Sequence, residues 1–260
     1  MPLISTATGP LLVTQHDGIV HLRFNRPEVL NAINVEMAQA FLAVCQALAA
    51  EPSLRVVVLS GAGRAFVSGG DLSVFRQSPA EAAPALIEPM HTAIRALADL
   101  GAPVVASLHG AVAGAGLSLA AAADLAIAAE GTRFNLAYVN VGTSCDLGAT
   151  WSLPRLVGLR KALEIALLGD TFTADEAWRI GLVNRVVAAE SLEAETEALA
   201  RRLASRAPIA VGHIKRLMRE SFGRDLRTQL DHERDAFAAC AATEDFREAL
   251  AAFFQKRAGR

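Results

Sequence analysis

The residues best suited to chemistry are one run of small side chains and one acid. The run is Gly110-Ala111-Val112-Ala113-Gly114-Ala115-Gly116-Leu117-Ser118-Leu119-Ala120, and the acid is Asp146, in Tyr138-Val139-Asn140-Val141-Gly142-Thr143-Ser144-Cys145-Asp146-Leu147-Gly148. The run follows a predicted strand and opens a predicted helix, which brings backbone N–H groups close to a ligand at the end of a helix where negative charge is favoured. It is not a dinucleotide fingerprint: Leu119 stands where a third Gly is needed, and no acidic residue is evident about 20 positions on. Nor is it a nucleophile elbow, because Ala120 breaks G-x-S-x-G and Ser118 has no paired His and Asp. A second small-residue loop, Ala65-Phe66-Val67-Ser68-Gly69-Gly70-Asp71-Leu72, also lies between a predicted strand and a plausible helix. Two such loops can direct one amide each at a single oxygen. Taken alone, each also has a plainer reading: helix packing for the first, and a Gly-Gly turn with Asp71 as N-cap for the second.

The elements that must position these groups read as a layered α/β core. Leu11 to Thr14 and Ile19 to Phe24 flank His16-Asp17-Gly18 and predict a hairpin. Arg55 to Ser60, Val104 to Leu108 and Leu125 to Ala129 are short apolar runs of the buried-strand type. Val35 to Ala50 and roughly Ala85 to Leu100 have helical periodicity, and Gly101-Ala102-Pro103 stops the second. After Trp151 the pattern is helical over Arg160 to Leu168, Ala174 to Ile180, Leu192 to Ala204, Ile209 to Glu220 and Thr243 to Arg257, with Leu182 to Val187 as the one expected strand. The expectation is one functional unit, a core over residues 1–200 and a helical C-terminal module over 201–260.

Composition excludes several functions. In 260 residues, 52% are apolar, ample for a sizeable core, and a net charge of −2 with interspersed signs gives no nucleic-acid footprint and no attraction to anionic membranes. The three cysteines are odd in number and lack metal-ligand spacing, which favours a reducing compartment. Met1 to Asp17 lacks the pattern of a signal peptide, so a cytoplasmic enzyme is expected. Ala111 to Ala129 is long and apolar enough for a membrane check, but Gly114, Gly116, Asp124 and its Ala content make it buried helix followed by buried strand. His109 reads as a hydrogen-bonded structural residue and Asp124 as structural. His16, His21, His91, His213 and His232 show no cluster, and no metal site is expected.

Four segments in order, Asn25-Arg26-Pro27-Glu28-Val29-Leu30-Asn31-Ala32, Ala65 to Leu72, Gly110 to Asp124 and Gly181-Leu182-Val183, closely resemble the enoyl-CoA hydratase/isomerase (crotonase) family. The resemblance runs from about Leu11 to Arg257. It implies a crotonase-like spiral of ββα units with a helical C-terminal trimerisation region, commonly a dimer of trimers. It also implies a coenzyme A thioester as substrate, with no separate cofactor. Residue by residue, it implies an oxyanion hole from the backbone N–H groups of Gly70 and Ala115. Substrate contacts are implied for Val29, Leu30, Ser68, Asp71, Leu72 and Tyr138, with Arg26 and Lys256 as weaker candidates for the phosphates. Trp151, Trp178 and Tyr138 become candidates for the acyl pocket or the core, and Cys145 a small pocket-lining residue.

Hydratases that this chain resembles use two glutamates to hold and activate water. Here their positions are Ser118 and Tyr138, neither of which is a carboxylate base. Asp146, eight residues after Tyr138, matches the offset of the catalytic aspartate in dienoyl-CoA isomerases and ring-1,2-epoxyphenylacetyl-CoA isomerases. Gly148, Thr150-Trp151, Leu153-Pro154-Arg155, and Gln229-Leu230-Asp231 with Glu233-Arg234-Asp235, are similar to the latter group. The expectation is an acyl-CoA double-bond isomerase working by a 1,3-proton shift, with ring-derived thioesters, as in phenylacetate degradation, among its candidate substrates. An enoyl-CoA hydratase (lyase) of fatty-acid β-oxidation and a non-catalytic acyl-CoA-binding protein stand as alternatives. In the plainest reading, Asp146 is a loop acid or cap before Thr150.

Overall fold

The computed structural model describes residues 6–76 and 78–258, with side chains described to residue 255. Its first layer grows from a hairpin. β1 (Leu11–His16) and β2 (Ile19–Phe24) pair antiparallel through Asp17 and Gly18, both at positive φ, as the twist of a tight hairpin requires. β2 then runs parallel to β3 (Val56–Gly61), followed across the sheet by β4 (Val104–Leu108), β6 (Leu125–Ala129) and β9 (Arg185–Val187). A second sheet, in the order β5-β7-β8, is made of β5 (Ala111–Ala113), β7 (Arg133–Asn135) and β8 (Phe172–Thr173).

The two-residue period of the strands sorts the apolar side chains into two layers. Val20, Leu22, Val57, Leu59 and Ala106 face one core with Phe41 of α1 (Val35–Leu48), Met90 of α2 (Pro79–Asp99) and Leu119 of α3 (Ala115–Ala122). Their neighbours Ile19, Val56, Val58 and Val105 face the opposite side, where Ala200 of α7 (Leu192–Ala204) covers them. Between lie α4 (Ala149–Val157), α5 (Leu159–Leu168) and α6 (Ala174–Arg179), and beyond α7 come α8 (Pro208–Glu220), α9 (Leu226–Ala241) and α10 (Glu244–Ala258). Asp124 has the structural role its position suggested. It accepts from the Val104 N–H at 2.8 Å and pairs with Lys215 at 3.0 Å and Arg219 at 2.7 Å, tying α8 to the sheet. Burial pushes the Lys215 ammonium below its ordinary range and Asp124 opposes that.

The layered α/β expectation holds, with local corrections. β5, β7 and β8 are two or three residues long, too short to show a periodicity. α2 starts at Pro79 instead of near Ala85, because the run contains Pro84 and Pro89, each of which removes a helical donor. Pro154 hid α4 in the same way. α9 carries little periodic signal because it buries little beyond Ala236; Asp225 starts it by accepting from the Thr228 N–H at 2.9 Å. β9 is shorter than predicted, since Leu182 and Val183 bond to the Ala177 carbonyl instead of to a strand. Ala111 to Ala129 divides into β5, α3 and β6, and among the described residues no helix is long and apolar enough to cross a membrane.

Candidate active site

Two glycines let the two small-residue loops touch. A Cβ on Gly116 would lie 2.0 Å from the Val67 carbonyl oxygen, and one on Gly110, whose φ is +59°, would lie 1.9 Å from that of Arg64. Only glycine permits this approach. The contact is stitched by the Ala113 N–H to Val67 O at 3.0 Å and the Phe66 N–H to His109 O at 2.8 Å. From below, the buried Asn31 amide donates to the carbonyls of Ala62, Ala65 and Phe66 at 2.8, 2.8 and 3.1 Å. Ile33 brackets the Gly-Gly turn, donating to Gly69 O at 2.9 Å and accepting from the Asp71 N–H at 2.8 Å.

This lattice uses the neighbours of Gly70 and Ala115 and leaves their own N–H groups out: among the described residues neither donates to a backbone carbonyl. Ala115 is the first residue of α3, where helix geometry supplies no internal acceptor. Both residues line a cleft of about 480 Å³, with Ser68, Leu72, Tyr138 and Asp146. Phe75, Leu86 and Met90 make much of the wall apolar. Among the described residues lining the cleft, Asp146 is the only Asp or Glu.

Asp146 does not stand alone. The Tyr138 hydroxyl donates to its Oδ1 and accepts from Ser118 Oγ at 3.0 Å, the single Ser118 hydrogen being shared between that oxygen and the Gly114 carbonyl at 3.3 Å. The chain Ser118, Tyr138, Asp146 thus ends at the turn that presents Ala115. Burial raises the Asp146 carboxyl above the usual carboxylate range, and the Tyr138 hydrogen bond pulls it partly back. Burial foremost, and then Asp146, push the Tyr138 phenol up, so it remains a donor. Burial and Asp146 also push the Cys145 thiol up. Beside it, Leu147 holds φ +50°, and its N–H donates to Nε2 of His91 on α2 at 3.1 Å. His91 thus has a positioning contact that the sequence reading did not assign. Its link spans 56 residues and has no local signal.

Other predicted residues fall outside the wall. The carbonyl of Leu30 accepts from the Ser68 N–H at 3.1 Å and that of Val29 from Ser68 Oγ at 3.4 Å, so both buttress the loop instead of lining the cleft. The Asp71 carboxylate caps the turn at Leu72–Phe75, accepting from the Ser73 N–H at 3.1 Å, and pairs with Arg26 at 3.0 Å. Hydrogen bonds from the Ser73 hydroxyl and N–H, with the Arg26 pair, hold it below its ordinary range despite burial. Arg26 also donates to Ala32 O at 2.6 Å, through the same Nη1 that meets Asp71. Lys256 lies outside the described side chains. Trp151 and Trp178 are exposed and lie outside both the cleft wall and the core, and Cys145 is half-buried beside the cleft instead of lining it. His109 is structural, at 3.0 Å from the Gly63 carbonyl. A larger groove of about 860 Å³ between α1, α2 and α8 is edged by arginines and lacks a comparable convergence of free amides with a buried acid.

Residues 14–260 match the family model described as Enoyl-CoA hydratase/isomerase. The chain is 38% identical over 245 residues to the 1,2-epoxyphenylacetyl-CoA isomerase of Escherichia coli K12, covering 92% of this chain and 93% of that one. It is 32% identical to the crotonyl-CoA hydratase of Syntrophomonas wolfei, over 95% of each. Its fold superposes on the crystal structure of an enoyl-CoA hydratase from Polaromonas sp. JS666 with a TM-score of 0.90 at 34% identity, covering 95% of this chain and 98% of the other.

Proposed function

This chain belongs to the enoyl-CoA hydratase/isomerase family and has its crotonase fold, and from that premise we propose that it is an acyl-CoA double-bond isomerase. The observation that carries the proposal is that a single carboxyl, Asp146, faces the same cleft as two uncommitted amides, Gly70 and Ala115. Relatives carry both isomerase and hydratase names, so the choice rests on chemistry.

The thioester oxygen of a 3-enoyl-CoA accepts from Gly70 and Ala115. Negative charge reaches that oxygen only as the C2 proton leaves, so the amides favour the dienolate over the ground state, at about 3 kcal/mol per donor. Asp146 takes the C2 proton and returns it at C4, from one face and without a second base. Its raised affinity for protons suits both halves of that shuttle. Tyr138 holds one carboxylate oxygen still. Addition of water asks for a second acid or base to orient and deprotonate it; the two positions that hold glutamates in hydratases carry Ser118 and Tyr138, which here hydrogen-bond to each other.

The test is turnover of 3-enoyl-CoA and of crotonyl-CoA by wild type and Asp146→Asn. The proposal expects isomerisation to fall at least about 100-fold in the variant, in line with the loss of a positioned acid–base group, with little hydration by either protein. Robust hydration indifferent to Asp146 would return the chain to the hydratases. Binding of the thioesters without turnover by wild type would make it a carrier.

A further inference from the structure

The sequence separates His16, His21 and Glu197, and the fold assembles them. In the hairpin register Thr14 sits opposite His21 and His16 opposite Ile19, so the two imidazoles are diagonal neighbours on one face. That is the face of Ile19, covered by α7, and not the face of α1 and α2. Glu197 lies one turn before the buried Ala200 on α7, which brings its carboxylate over the hairpin. His16 Nε2 is 3.6 Å from Glu197 Oε1, His21 Nε2 is 3.5 Å from Oε2, and the three groups offer ligand atoms that all lie within 4.8 Å of one another. The rings meet edge to face with centroids 5.5 Å apart.

The two His–Glu separations are too long for hydrogen bonds, and among the described residues neither imidazole makes one. Those two separations are close to the spacing of donors in a zinc tetrahedron, where bonds of 2.0–2.1 Å put donors about 3.4 Å apart. We propose that His16, His21 and Glu197 bind one divalent cation of the borderline class, Zn²⁺ above all, fastening the hairpin to α7. Two imidazoles and a carboxylate select Zn²⁺, Ni²⁺ or Cu²⁺ over Mg²⁺ and Ca²⁺, which prefer oxygen donors throughout. Three protein ligands leave a fourth position for water. Arg201 donates from Nε to Glu197 Oε1 at 2.8 Å and orients the carboxylate, so Oε2 is the better placed oxygen.

The test is calorimetric titration of metal-stripped full-length protein with ZnCl₂ and, separately, MgCl₂ at pH 7.5, alongside thermal melts. Expected are one Zn²⁺ per chain, a higher Tm with Zn²⁺ and no response to Mg²⁺. His16→Ala is expected to weaken binding at least about tenfold, and Glu197→Gln to do the same. His16 is exposed, so its variant folds even where a change at His21 does not. No Zn²⁺ binding by wild type up to about 1 mM, the −4.1 kcal/mol level of affinity, overturns the proposal. So does binding unchanged in His16→Ala, which would assign the metal to other donors such as the cysteines.

Discussion

Asp146 is placed by side chains that do no chemistry themselves, and that makes its environment measurable. Its acid form is favoured by burial and its base form by the Tyr138 hydrogen bond. Only the carboxylate removes a proton, so kcat/KM for isomerisation falls as pH drops through the raised Asp146 value. The acidic limb is expected above the ordinary carboxylate range. Tyr138→Phe deletes a bond that lowers that value, and its limb is expected to move to still higher pH in a pH–rate profile. A limb that stays put, or moves down, would remove Tyr138 from the proposed role. His91 acts through the backbone: its Nε2 is the acceptor that holds Leu147 in a left-handed conformation next to Asp146. His91→Ala is expected to lower kcat by about tenfold or more with KM little changed, since small displacements of a positioned group cost up to about 100-fold. His91→Gln, which keeps an acceptor, is expected to recover part of the loss.

At the scale of elements, the site depends on how closely α3 and the strand before it approach the Ser68–Leu72 turn. Gly116→Ala drives a methyl into the Val67 carbonyl at 2.0 Å, a backbone atom that cannot swing aside. The expected outcome is a loss of about 1–3 kcal/mol in urea unfolding, the usual range for overpacking, with a larger proportional loss of turnover because the Ala115 amide moves with the helix. Ala115→Gly keeps the amide and is expected to leave turnover within a few-fold. Much of this was legible. Gly110, Gly114 and Gly116 after a strand announce a close backbone approach, and Gly70 and Ala115 follow by resemblance. The bonds that make the approach rigid were not. Asn31 reaches carbonyls 31, 34 and 35 residues away, and His91 a donor 56 residues away. Long-range pairing of this kind leaves no periodicity behind it, and the same holds for His16, His21 and Glu197. Asp71 carries two readings: resemblance assigns it to the ligand, and the plain N-cap reading describes the bonds of its side chain within the chain.

At the scale of the whole molecule, the C-terminal helices carry more apolar surface than one chain covers. Ile214 and Met218 on α8, Leu226, Leu230 and Phe237 on α9 and Leu250 on α10 are exposed, and each of these helices buries at most one side chain among those described. Monomers rarely leave apolar patches of more than a few hundred Å² open to water. The sequence hid this, because Ala- and Leu-rich amphipathic faces look alike whether a neighbouring element or a second subunit covers them. The exposed apolar side chains of α8, α9 and α10 are the surface that the expected trimer or dimer of trimers would cover, and we propose this module as the contact between subunits. A closed ring with cyclic symmetry covers the surplus on every copy at once. Sedimentation equilibrium is expected to return three or six times the chain mass. Leu230→Lys with Phe237→Lys puts two charges on α9 without touching the cleft, and is expected to shift the equilibrium toward monomer at micromolar concentration. Burying an unpaired charge in an apolar contact costs several kcal/mol, about 100-fold or more in association. A wild type that sediments as a monomer would mean that the apolar faces of α8, α9 and α10 serve something other than a second copy of this chain.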